Sequence, residues 1–255
     1  MLLRIWVLVT GLLLGLGAPA FATDKVDCPH ARLPALALPH VKQALTHNQE
    51  LTIVALGSSS TAGARASDIA HAYPAVLQAE LQKALPASHI VVINRGVGGQ
   101  DAAEELPRLD RDAVAVAPSL VIWQVGANGA MRGADPDTFK RLVASGVHRL
   151  ESAGIDVVLM DNQRSPAVLA SAVHGKIDLA LAEVAVHRNA GLVPRGKLMD
   201  AWQEEGFPYA DFLADDGVHH NDRGYACLAR ALATAIVDGL AADPSSKILQ
   251  SASAR

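Results

Sequence analysis

The sequence is poor in aromatic residues, in cysteine and in clustered positive charge. Aromatics make up 4% of the 255 residues, yet half of all residues are apolar. That suffices for one good-sized core, so one domain is the default. Lys and Arg number 22 against 26 Asp and Glu, and no basic run stands out, which argues against a nucleic-acid surface. No repeat of 20–50 residues is present, which argues against a solenoid. The only two cysteines, Cys28 and Cys227, lack the spacing of a metal site or a redox pair. His30, His40, His47, His71, His89, His148, His174 and His187 show no tight metal-ligand spacing either, so neither metal nor cofactor is expected.

What is there begins with a leader. Arg4 precedes the apolar stretch Ile5–Gly17, and the small residues Ala18, Ala20 and Ala22 follow. This is the layout of a secretory signal peptide over residues 1–22, with cleavage after Ala22. The competing reading is an uncleaved anchor, but the stretch is barely long enough to span a bilayer and is interrupted by Gly and Pro. Cleavage would leave a periplasmic or extracellular protein with no membrane span. In that compartment Cys28 and Cys227 are expected to form a disulfide tying the mature amino terminus to the last helix.

Residues 23–50 are rich in Pro and His and read as a segment wrapping the domain edge, with a helix over 39–48. The main domain, 51–240, alternates short apolar runs with helical periodicity. Strands are expected at 51–56, 89–94, 119–126, 155–161 and 191–195. Helices are expected at 73–85, 102–115 (broken near Pro107), 135–154, 167–189 and 221–240, the last with Asn221 as its N-cap. Residues 241–255 read as a frayed tail. Apolar strands separated by helices imply an α/β fold: three α/β/α layers around a five-stranded, mostly parallel sheet. Ligands bind such sheets beyond the carboxyl ends of the strands. There the sequence places "GSSSTAG", "RGVGGQD", "GANGA" and "DNQRSP".

A serine hydroxyl needs a base to take its proton, an acid to orient the base, and donors for the developing oxyanion. Three serines, Ser58 to Ser60, follow the first strand, and "ADDGVHHNDRGY" precedes the last helix. Either alone is more often a turn or a cap. Together with two further blocks the chain resembles the SGNH, or GDSL-like, hydrolase superfamily over about residues 51–240. "LGSSSTAG" is similar to the block that carries the nucleophile, here Ser59. "NRGVGG" is similar to the second block, whose last glycine, Gly99, would donate a backbone N–H to the oxyanion. "QVGAN" resembles the third, with Asn128 as side-chain donor. "DGVHHNDRGY" resembles the closing Asp-x-x-His block, with Asp216 as orienter and His219 as base.

The resemblance implies the flavodoxin-like SGNH fold and a serine ester hydrolase. Ser59, His219 and Asp216 would form its triad, and the Ser59 N–H would join Gly99 and Asn128 in the oxyanion hole. The expected substrate is a carbohydrate-linked or other small acyl ester. Transfer of the acyl group to a sugar or other alcohol, and a non-catalytic binding module, are the rival functions. His220 and Asp215 compete with His219 and Asp216, and the Asp-x-x-His register disfavours both. Asp161, Asn162 and Gln163, just past the fourth strand, are candidates to line the pocket, and Arg95 and Gln100 to reach substrate. Trp123 reads as core. Two positions depart from the family: Ser58 stands where Asp is usual and is expected to cap the following helix, and Gly129 replaces an Asp after Asn128.

Overall fold

Five apolar runs pair side by side into one all-parallel sheet: β1 (Leu51–Gly57), β2 (Ile90–Gly96), β3 (Leu120–Gln124), β4 (Asp156–Met160) and β5 (Gly191–Val193). Their spatial order is β2-β1-β3-β4-β5. The structure is a computed structural model and describes residues 27–47 and 50–242. The leader expected at 1–22 and nearly all of the expected tail lie outside the described residues.

Both faces of the sheet are apolar because both are covered. Side chains alternate across a strand, so Ile53 and Ala55 of β1 enter one core with Tyr73, Leu77, Trp202 and Leu228. Val54 and Leu56 enter the other with Trp123, Phe139, Val143 and Leu181. The helix Pro136–Ser152 shows how the sequence builds the second layer. Asp135 caps it by accepting from Thr138 N–H, and Phe139, Val143, Val147 and Leu150 form its buried stripe. Gly146 of that stripe packs against Trp123: a Cβ there would sit 2.4 Å from the indole ring.

The first core is closed by Asp222–Ala241, capped by Asn221 accepting from Gly224 N–H. This helix is apolar and long enough to cross a membrane, but its Tyr225, Leu228, Leu232 and Ile236 are buried in the core. Leu33, Leu36 and Leu38 are buried beside it, and a disulfide joins Cys28 to Cys227.

Three elements differ from the sequence reading. The helix expected over 167–189 is two, Pro166–Leu169 and His174–Arg188. Ser171 breaks it: its hydroxyl donates to Ala130 O and accepts from Val173 N–H, competing with helical bonding. Residues 102–115 form a chain of single turns rather than one helix with one break. An unexpected helix, Arg195–Glu204, follows β5 and buries Leu198, Met199 and Trp202.

The chain leaves β1 for β2 on one side and then returns to β3 on the other. That reversal opens a crevice at the carboxyl ends of β1, β2 and β3.

Candidate active site

β1 ends at Gly57, and the chain turns at Ser58 into the short helix Ser59–Ala62. Only glycine fits at 57, because a Cβ would lie 2.4 Å from Thr61 Oγ1 and 2.7 Å from Gln124 O. Ser58 does not cap the helix with its side chain, contrary to expectation. Its hydroxyl and its N–H both donate to Gln124 Oε1, at 3.0 and 3.1 Å, and Thr61 Oγ1 donates to the same oxygen. The reason is position: Ser58 is buried against the end of β3, where the Gln124 amide offers a fixed acceptor.

Ser59 Oγ lies 2.7 Å from His219 Nε2, and His219 Nδ1 lies 2.7 Å from Asp216 Oδ2. Asp216 Oδ1 accepts from the N–H groups of Val218 and His219, which folds the Asp-x-x-His segment into a closed turn. Partial burial opposes the charge of Asp216. Hydrogen bonds from the His219 ring, from the two N–H groups and from Arg65 outweigh it and hold its pKa well below the usual carboxylate range. An ionised carboxylate only accepts, so Nδ1 carries the proton and Nε2 is left to accept from Ser59.

The competing residues point elsewhere. His220 is fully buried and pairs through Nδ1 with Phe212 O. Burial, with the Arg195 charge nearby, pushes its pKa down to about 3. Asp215 is exposed, 3.9 Å from Arg65.

The loop after β2 lies over Ser59. Val97 N–H donates to Gly57 O, and a Cβ on Gly98 would be 3.9 Å from Ser59 Cβ. Gly99 has φ +80, which turns the chain here. Asn128 Nδ2 donates to Gln100 O at 2.8 Å, so the side-chain amide is tied to the same loop. A buried guanidinium holds this arrangement from inside. Arg108 donates to Gly57 O, Arg95 O, Gln100 Oε1 and Asp112 Oδ2. Arg132 holds it from outside, through Gly99 O, Asp101 and Glu104. Gln100 is thus a bracing residue and not a free side chain at the mouth.

Asp161, Asn162 and Gln163 do not line an open pocket. All three are buried and bonded to the scaffold. Asp161 accepts from Gly196 N–H and Asn162 donates to Asp178. Gln163 donates to Val218 O in the Asp216–His219 turn and accepts from the buried Arg195. Burial and the nearby Asp178 carboxylate push Asp161 up to about 7 against Gly196 N–H, Arg195 and Arg164. The correction has a simple cause: β4 ends inside the molecule, and the helix Arg195–Glu204 covers the loop that follows it. Trp123 is core, as expected, with its indole N–H donating to Glu105.

Sequence reasoning missed Gln124, Arg108, Arg65 and Arg195. Apart from the i,i+4 pair Arg108–Asp112, they reach backbone or side-chain atoms distant in the chain, which leaves no spacing signal. A cavity of about 620 Å³ lies at the opposite end of the sheet, lined by Leu36, His40, Asp156 and Arg188 among others, and no triad residue reaches it. Among the described residues no group of three or more His, Cys, Asp or Glu is arranged to hold a metal ion.

Comparison with known proteins identifies the family. The profile of a group described as the non-GDSL lipase-like family matches residues 26–242. The chain is 26% identical over 170 residues to thioesterase 1/protease 1/lysophospholipase L1 of Escherichia coli K12, covering 67% of this chain and 76% of that protein. It is 24% identical over 209 residues to an arylesterase of Vibrio mimicus, covering 82% and 99%. A two-domain esterase active on acetylated mannans superposes with a TM-score of 0.69 at 20% identity, over 82% of this chain and 55% of that one.

Proposed function

The chain belongs to the non-GDSL lipase-like family and is a carboxylic ester hydrolase of the SGNH type. From that premise we propose that it is an exported serine esterase in which Ser59 is the nucleophile, His219 the base and Asp216 its orienter. One observation carries the reading. A hydroxyl, an imidazole and a carboxylate, the first separated from the second by 160 residues, form an unbroken hydrogen-bonded line at 2.7 Å each. Such a line lets Ser59 Oγ lose its proton to Nε2 as it attacks an ester carbonyl, while Asp216 stabilises the imidazolium.

The Gly99 N–H, the second Asn128 Nδ2–H and the Ser59 N–H receive the oxyanion. The tetrahedral intermediate collapses as His219 protonates the departing alcohol. Water, deprotonated by the same imidazole, then releases the acid and regenerates Ser59.

The substrate proposed is a small acyl ester, an O-acetyl group on a carbohydrate included. The names of the similar proteins, an arylesterase and an esterase active on acetylated mannans, support that class. Export is supported by the leader-like residues 1–22 and by the Cys28–Cys227 bond, which suits an oxidising compartment.

Ser59→Ala is expected to cut p-nitrophenyl acetate hydrolysis by a factor on the order of 10⁴ or more, with the melting temperature held. It is also expected to abolish labelling by a fluorophosphonate. Full activity in that variant would refute the assignment. Acetyl, butyryl and octanoyl esters beside acetylated polysaccharides define the acyl and alcohol preference. Acid release without an added acceptor separates hydrolysis from transfer.

A further inference from the structure

Arg65 touches the triad. Its Nε donates to Asp216 Oδ2 at 2.9 Å, the same oxygen that holds His219 Nδ1. Its backbone is in the left-handed region, at φ +67, which an L side chain adopts at a cost. The flanking chain enforces that conformation. Ala64 N–H donates to Ser59 O, Ala64 O accepts from Tyr225 OH, and Ala66 N–H donates to Gly63 O. A strained residue anchored to the nucleophile turn therefore projects a permanent cation onto the orienting carboxylate.

We propose that Arg65 is a positioning residue that acts through Asp216 to set the acid limb of the pH–activity profile. The inference rests on the triad reading above. Activity requires the neutral imidazole, and Asp216 favours the imidazolium. A guanidinium on the same oxygen draws on that negative charge and repels the imidazolium. It thereby keeps His219 competent as a base to lower pH than Asp216 alone would allow. The backbone N–H groups of Val218 and His219 occupy only Oδ1, so Oδ2 is where the two cations compete.

Other charges face this pair. Asp215 lies 3.9 Å from Arg65 but its side chain is 90% exposed, so water screens it. Asp222 is held by Ser67 and lies 4.0 Å from His71. Beneath, His220, Arg195 and Tyr225 are buried, and none of them hydrogen-bonds Asp216. Only Asp215 among them pairs with Arg65, and it is solvent-screened, so a moved limb reports Arg65.

The test measures kcat/KM on p-nitrophenyl acetate and the rate of fluorophosphonate labelling of Ser59 against pH. It uses the full mature chain as wild type, Arg65→Lys, Arg65→Gln and Arg65→Ala, with melting temperatures recorded. Arg149→Gln, an exposed ion-pair partner of Asp110, controls for net charge. The acid limb of the Gln and Ala variants is expected at higher pH by about 0.5–1 unit, and the displacement should shrink in high salt. Lys, which keeps the charge, should stay near wild type, and Arg149→Gln should superpose on it. Arg65→Gln retains a donor for Asp216, so a merely structural strap would leave its limb in place. An unmoved limb, or a plateau that falls with no shift, overturns the proposal. Ser59 that labels normally in a variant with an unmoved limb removes this inference alone. Wild-type Ser59 that fails to label removes the triad reading and this one with it.

Discussion

The two sides of Ser59 are built by different means. On the base side, Asp216 and His219 are three residues apart, and the turn between them makes most of its own hydrogen bonds. It is partly exposed, and long-range support comes from Arg65 and Gln163. On the proposed oxyanion side the ties that matter are long-range. Gly57, Arg95 and Gln100 come from the ends of two strands and a loop, and one buried guanidinium, Arg108, ties them together. The proposed acid–base pair is a chain-local motif docked onto the sheet, whereas the loop proposed to hold the oxyanion is a tertiary product. Damage should therefore spread differently on the two sides.

The largest effect is expected at Arg108. Its side chain is 7% exposed, and truncation removes a donor from Gly57 O, from Arg95 O and from the Asp112 carboxylate, leaving Gly57 O to Val97 N–H and Asp112 to Arg111. Arg108→Met should cost about 2–4 kcal/mol in urea unfolding, because several buried acceptors lose a donor at once and one left unsatisfied costs about 1–3 kcal/mol. Arg132 grips the same loop from solvent, where water and salt screen its ion pairs, and Arg132→Met should move the urea midpoint far less. Equal losses for the two would break the distinction between inner and outer clamp.

Asn128→Ala sharpens the functional side. It removes the proposed oxyanion donor and a tie to Gln100 O, and should lower kcat by about 10²–10³ with little change in stability. A drop confined to KM would mean that Asn128 binds substrate without touching the oxyanion.

A further effect, on the pH dependence of stability, is expected at a residue behind the proposed oxyanion loop. Glu105 is fully buried, accepts from the Trp123 indole, and burial pushes its pKa up to about 8. Between about pH 4.5 and 8 the unfolded chain has released this proton while the folded chain keeps it, so stability falls as pH rises through that window. Glu105→Gln removes the titration. Its stability relative to wild type should improve by roughly 1–3 kcal/mol from pH 5 to pH 8, read as urea midpoints. A difference independent of pH would show that Glu105 is not the group responsible.

The contrast between the two sides also explains what could be read before the fold. Ser59, Gly99, Asn128, Asp216 and His219 each follow an apolar run or precede a capped helix, in short blocks with recognisable order. Geometry brings Ser59, His219 and Asp216 together and lays the Gly99 loop over Ser59. The strands were legible because each is a short apolar run bounded by Gly, Asn or Pro. The helix Arg195–Glu204 was not, since Leu198, Met199 and Trp202 give too brief a stripe among polar neighbours. Asp161, Asn162 and Gln163 read equally well as pocket wall or as polar loop, for a related reason. Polar residues past a strand end look like pocket walls until the covering helix is known. Ser58 was expected to cap a helix, because nothing local announces that Gln124, 66 residues away, offers the better acceptor.

The sequence by itself determined the alternation of apolar runs and amphipathic helices, hence a parallel sheet covered on both faces. It also determined which reactive side chains stand at the strand ends, because period, caps and short blocks are local properties. Only the tertiary structure decided which polar residues work as braces. Gln124 accepts from Ser58, 66 residues away, Arg108, Arg195 and Arg65 donate across as many as 51, 34 and 151 residues, and only the Arg108–Asp112 bond is local. A buried or half-buried guanidinium is stable only where several such acceptors converge, and convergence is a property of the folded chain alone.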